Sequence, residues 1–217
     1  SAAFAVEGNS VALRIGSDGG VGTALFTNNA RFKASAHGAG SASELLLVVG
    51  DGAGDGAMTF RGSQAIFQSA DDSHARFVVG RDGGVGVLTL DDASTFTATG
   101  GDEGVNGTIG TGAGATGSLS LTNGAELTLQ GGGRNGLDVG RAGGTGAFEL
   151  ASSSLLKVVG ADAAYLVVGR DAGSYATGSI GQATLWVEAT GAGSASADIG
   201  GMQGYGALSL AAGGLLH

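Results

Sequence analysis

The sequence predicts an all-β fold, a right-handed parallel β-helix (β-solenoid) of about seven three-stranded coils of roughly 30 residues. Three observations carry this. A short pattern recurs seven times at nearly constant spacing. The segments between its glycines alternate apolar and polar residues with a period of two, and no window shows stronger helical periodicity. The residue before each marker glycine forms an unbroken β-branched series: Ile15, Val49, Val79, Ile109, Val139, Val168 and Ile199.

The marker glycines are Gly16, Gly50, Gly80, Gly110, Gly140, Gly169 and Gly200, spaced 34, 30, 30, 30, 29 and 31 residues apart. A polar pair and a turn follow each, and then a second glycine: Gly22, Gly56, Gly86, Gly117, Gly146, Gly178 or Gly206. Gly169 to Gly178 spans nine residues against the usual six, which reads as a three-residue insertion in coil six. The second strand of each coil has Ala24/Phe26, Met58/Phe60, Leu88/Leu90, Leu119/Leu121, Phe148/Leu150, Ile180 alone and Leu208/Leu210 on one face. A third apolar stretch follows about six residues later, for example Phe96 or Leu127/Leu129. Such a unit cannot close a core alone. Stacked on its copies it can, because each strand pairs in parallel with its equivalents above and below. Seven coils at about 4.8 Å each give a rod of roughly 34 Å. Right-handedness follows from the strong bias of parallel crossovers, since periodicity is blind to hand. Residues 1–217 read as one solenoid domain.

Composition agrees. Gly supplies 46 of the 217 residues and there is no Pro. Corners need left-handed backbone, which Gly adopts freely, and interior strands donate N–H groups that Pro lacks. Cys is absent, which excludes disulfides and thiolate chemistry. The net charge of −9 counts against nucleic acid and anionic lipid. No apolar run is long enough to span a bilayer, and the first residues lack the features of a signal peptide.

At the unit Val78 to Leu90, at Asp92-Ala93 with Phe96, and at Thr122 to Leu129, the chain resembles the Gly-rich β-helical passenger repeats of bacterial autotransporters (type V secretion). The resemblance spans essentially the whole chain and is architectural. It implies an internal slice of a longer passenger, displayed outside the outer membrane or secreted, that mediates adhesion or self-association with a cell-surface protein or glycan. A glycan-binding or glycan-processing β-helix is the alternative.

No catalytic constellation is legible. Lys33 and Lys157 lie coils apart, and His37, His74 and His217 share no spacing suited to a metal or a triad. The expectation is a non-enzyme without a cofactor. The turns Gly19-Gly20-Val21-Gly22, Gly83 to Gly86 and Gly143 to Gly146 superficially match calcium-binding nonapeptides, but Ala24, Leu88 and Phe148 stand where those need Asp. Asp71, Asp72, Asp102 and Glu103 fall in equivalent loops of neighbouring coils and are the calcium candidates. The polar pairs after the marker glycines predict a ladder of surface ion pairs, with Asp51 beside Arg81.

Tyr165, Tyr175, Trp186 and Tyr205 cluster in the last third and are the candidate ligand or partner surface. Alternation puts Tyr165 and Trp186 outward, and equivalent turns predict a Tyr175–Tyr205 stack. An ice-binding face is a lesser rival, because the outward row Leu25, Thr59, Thr89, Ser120, Glu149, Gly181 and Ser209 holds only two Thr.

Overall fold

A computed structural model describes residues 2–38, 44–70, 73–201 and 203–217. It is an all-β solenoid of three parallel sheets, and no helix occurs among the described residues. Strands are numbered in chain order. Sheet 1 contains the marker strands β2 (Val11–Ser17), β5 (Glu44–Asp51), β8 (His74–Arg81), β11 (Val105–Thr111), β14 (Arg134–Arg141), β17 (Ala163–Val168) and β20 (Ser194–Ile199). Sheet 2 contains β3 (Val21–Thr27), β6 (Asp55–Arg61), β9 (Val85–Asp91), β12 (Thr116–Leu121), β15 (Thr145–Ala151), β18 (Tyr175–Gly181) and β21 (Tyr205–Leu210). Sheet 3 contains β1 (Ala3–Gly8), β4 (Arg31–Ala36), β7 (Gln64–Ser69), β10 (Thr95–Gly100), β13 (Glu126–Gly131), β16 (Leu155–Gly160), β19 (Thr184–Ala189) and β22 (Leu215–Leu216). Seven coils are therefore present, preceded by one strand, β1, that the repeat pattern did not reveal.

The register is the one the β-branched series demands. Ile15 pairs with Val49, and the series continues through Val79, Ile109, Val139 and Val168 to Ile199. One hydrophobic cluster runs down the axis and includes Phe60, Phe67, Phe77 and Phe96, all fully buried. Burying each such ring stabilises the fold by about 1.5–3 kcal/mol.

The marker glycines make the first corner, and all seven have φ between 69° and 76°. A Cβ on Gly80 would lie 2.1 Å from the carbonyl oxygen of Thr116 in the next coil. The corner therefore needs glycine twice, for its backbone angle and for the close approach of the chain above. The second corner, between sheets 2 and 3, is different. Its left-handed residues are mostly not glycine: Asn28, Asn29, Asp92, Ala93, Asn123, Ser152, Ser153 and Gln182. None is β-branched, and short polar chains tolerate this region best.

Coil six corrects the sequence reading. Gly146 pairs with Ala176, and Ala176 with Gly206, so Ala176 and not Gly178 is the corner residue. Marker to corner is then seven residues, as in coil four, and the insertion is one residue rather than three. Gly178 instead pairs with Phe148 in the interior column, and a Cβ there would lie 2.3 Å from the Phe148 ring. The ring fills the space that Gly178 leaves, which is why Ile180 stands alone on its strand. The same register puts Ser179, not Gly181, in the outward row between Glu149 and Ser209.

Candidate functional site

The outward face of sheet 1 separates this solenoid from a plain structural rod. Residues pointing away from the axis would ordinarily meet water. Here Leu46, Val48 and Val78 form a second, separate buried cluster. Thr108, Asp138, Tyr165 and Val167 continue the buried row along the coils. Ion-paired side chains flank this row. They include the Arg76–Glu44 pair on one side and Arg81 and Arg170 on the other.

Two buried carboxylates punctuate the face. At coil two, Arg81 donates from Nε to Asp51 Oδ1 at 2.8 Å and from Nη2 to Oδ2 at 2.6 Å, and Arg14 Nε approaches Oδ2 at 3.3 Å. The Asp51–Arg81 pairing is the one the stacked polar positions predict, but Asp51 is buried rather than part of a solvated ladder. The hydrogen bonds from Arg81 hold its carboxyl below the usual carboxylate range.

At coil five, Asp138 is 0% exposed. Arg170 Nε lies 2.7 Å from its Oδ1 and Arg141 Nη1 lies 3.6 Å from its Oδ2. The first contact is misaligned and the second too long for a hydrogen bond, so both carboxylate oxygens and Arg170 Nε are buried without a hydrogen-bond partner. Burial pushes the Asp138 carboxyl up, against the pull of Arg170, Arg141 and Arg134.

Tyr165 organises this second node. It faces outward as alternation requires, but it is only 5% exposed and offers no free ring to a ligand. It pairs with Gly136, and a Cβ on Gly136 would lie 2.0 Å from the ring. The ring thus lies across the bare backbone of the preceding coil. Its hydroxyl contacts Asn106 Oδ1 at 3.1 Å, one coil further on. The Arg134 guanidinium sits 4.4 Å from its centroid and that of Arg170 sits 5.3 Å away. Arg134 enters no ion pair among the described residues. Beside it opens a depression of ≈ 430 Å³ lined by Arg134, Val167, Arg170, Asp198, Ile199 and Gly201.

The other aromatic candidates lie elsewhere and do not converge with Tyr165. Tyr175 and Tyr205 stack at 4.6 Å on the edge of sheet 2, and each is about half exposed. They lie in one outward column with Val21, Asp55, Val85, Thr116 and Thr145. Trp186 is on sheet 3, half-buried, stacked on His217 at 3.7 Å and donating from Nε1 to Glu188.

Of the calcium candidates, Asp71 and Asp72 lie outside the described residues. Glu103 contacts His74 Nε2 at 3.4 Å, and the Asp102 carboxylate lies against Gly132. No group of three metal-ligating side chains converges among the described residues.

The sequence reading missed the Arg134–Asp138–Tyr165–Arg170 node. One signal was present. Asp138 interrupts the middle of a column that runs Val48, Val78, Thr108, Asp138 and Val167 between Arg14 and Asp198 at its ends. A carboxylate stacked among β-branched residues needs cations, and three arginines fall within reach of it.

No family model, no curated protein and no solved structure matches this chain. The class defined by fold and surface is therefore a parallel β-solenoid repeat protein with one buried ionic face.

Proposed function

We propose that this chain is a surface-exposed or secreted adhesion module, a passenger segment of an autotransporter-like protein that works by lateral contact with another protein or with a second copy of itself. The observation that carries this is the outward face of sheet 2. Val85 and Val87 stand well exposed in the middle of the rod, and Val21 and Leu25 are exposed on the same face in coil one, among Thr, Ser, Ala and scattered charge. Val85 shares its outward column with the half-exposed Tyr175–Tyr205 stack, spaced from it by Thr116 and Thr145, and these exposed apolar groups on one face suit protein contact.

Sedimentation velocity over a concentration series, with and without calcium, tests self-association. The wild-type chain should sediment faster as concentration rises, and Val85→Lys with Val87→Lys should abolish the increase. A wild-type monomer that also fails to bind cell surfaces would sink the proposal.

A second reading is glycan binding on the paired rings of Tyr175 and Tyr205, whose parallel stack at 4.6 Å presents half-exposed edges to solvent. Neutral-glycan binding should then vanish in Tyr175→Ala with Tyr205→Ala and survive Val85→Lys with Val87→Lys.

A further inference from the structure

We propose that the depression between Arg134 and Arg170 on sheet 1 binds a carboxylated sugar, with its carboxylate on the two guanidiniums and a ring hydroxyl on Asp198.

One unpaired guanidinium beside a fixed one carries the inference. Three guanidiniums, those of Arg134, Arg141 and Arg170, surround the single buried carboxylate of Asp138. Asp171 also acts on Asp138 and Asp198 lines the depression, so nearby carboxylates match the guanidiniums in number; what singles out the node is Arg134, which enters no ion pair among the described residues. Arg134 is held only by its face, 4.4 Å from the Tyr165 ring. A guanidinium stacked in that way keeps its N–H edge free, and that edge is the part that forms paired hydrogen bonds to a carboxylate. Arg170 is pinned from two sides, by Asp138 Oδ1 at 2.7 Å and by the same ring at 5.3 Å. The ring therefore sets the spacing of the two cations before any ligand arrives, which lowers the ordering cost of binding. Asp138, fully buried with both oxygens lacking a hydrogen-bond partner, lies beneath Arg170 and anchors it.

The remaining walls select the class of anion. Asp198 lines the depression and enters no ion pair among the described residues, so it is free to accept from a hydroxyl. It would repel a second carboxylate placed beside the first. Val167 supplies an apolar wall for the C–H face of a ring. A hexuronate carries one carboxylate, several hydroxyls and such a face. A run of acidic side chains carries no hydroxyl for Asp198. This site is on a different sheet from the exposed sheet 2 face and stands independently of it.

The test is titration of the intact chain with trigalacturonate, with neutral galactotriose and with hexaglutamate as comparators, followed by backbone amide shifts at low and high salt. Trigalacturonate should saturate, weaken as salt rises, and move the amides of Val167, Arg170 and Asp198. Arg134→Gln, which breaks no ion pair among the described residues, should weaken it about tenfold or more, the worth of one charge-assisted hydrogen bond. Arg31→Gln, at an exposed arginine on sheet 3, should leave it unchanged. The proposal is overturned if galactotriose binds as tightly, if hexaglutamate binds more tightly, or if Arg134→Gln binds as the wild type does. Shifts confined to Tyr175 and Tyr205 would overturn it too, and would leave the glycan reading of those rings standing.

Discussion

The Phe77 ring occupies the space that a side chain on Gly107 would need. The two pair in adjacent coils, and a Cβ on Gly107 would lie 2.4 Å from Phe77 Cζ. Replacing a strand glycine by alanine ordinarily stabilises, because glycine loses more freedom on folding. Here the sign reverses. Gly107→Ala should destabilise by about 1–3 kcal/mol through overpacking. The same change in a Phe77→Leu background should cost less, because the two sites share one space. Urea midpoints of the four proteins check this, and additive effects would refute the pairing.

The marker corners permit a cleaner separation of strain from crowding. Gly80 and Gly124 have nearly the same φ, 76° and 75°, but nothing lies within 4 Å of a Cβ on Gly124. Gly124→Ala should cost only the left-handed backbone penalty, about 1–2 kcal/mol. Gly80→Ala adds a clash with the Thr116 carbonyl and should cost about 1–3 kcal/mol more than that. Thermal unfolding of the two variants side by side is sufficient, and equal costs would show that the stacked coils yield.

Tyr165 is expected to act as a structural spacer. Tyr165→Phe removes only the contact to Asn106 and should cost about 1 kcal/mol. Tyr165→Ala bares Gly136 and releases both guanidiniums, and should cost about 3 kcal/mol or more. It should also weaken trigalacturonate binding, whereas Tyr165→Phe should not. Near-UV circular dichroism with denaturation curves reads the first effect and titration the second.

The two carboxylates of sheet 1 should respond to acid in opposite senses. Asp51 has a depressed pKa, so its contribution is present above the unfolded value of about 3.9 and is lost as the pH falls through the folded value. Asp138 has a raised pKa. Its contribution is full below the unfolded value and is lost as the pH rises through the folded one. Asp51→Asn should therefore flatten the loss of stability on acidification, and Asp138→Asn should steepen the net rise with pH. Urea midpoints between acidic and neutral pH would show both slopes, and like slopes in the two variants would contradict the assignment.

The interior of this fold was legible because it repeats. A column such as Ile15 to Ile199 shows itself in one sequence, since each member makes the same contacts as the next. Coil six was misread because glycine was matched to glycine. Gly178 follows the true corner residue, Ala176, by two positions and answers instead to the volume of Phe148. The outer face of sheet 1 was opaque for a related reason. Alternation states which way Tyr165 points, but its burial depends on Gly136, Arg134 and Arg170, supplied partly by another coil. The Tyr175–Tyr205 stack was legible because equivalent positions in successive coils held the same ring.

Every strand pair described above joins segments about thirty residues apart, with no hairpin between neighbours in the chain. A lone coil therefore has no sheet to lean on, and order must begin when two whole coils meet at once. That first meeting carries a large loop-closure cost, whereas every later coil docks on a finished template. The chain should assemble as a zipper does, slow to catch and quick to run, with each completed turn acting as the mould for the next.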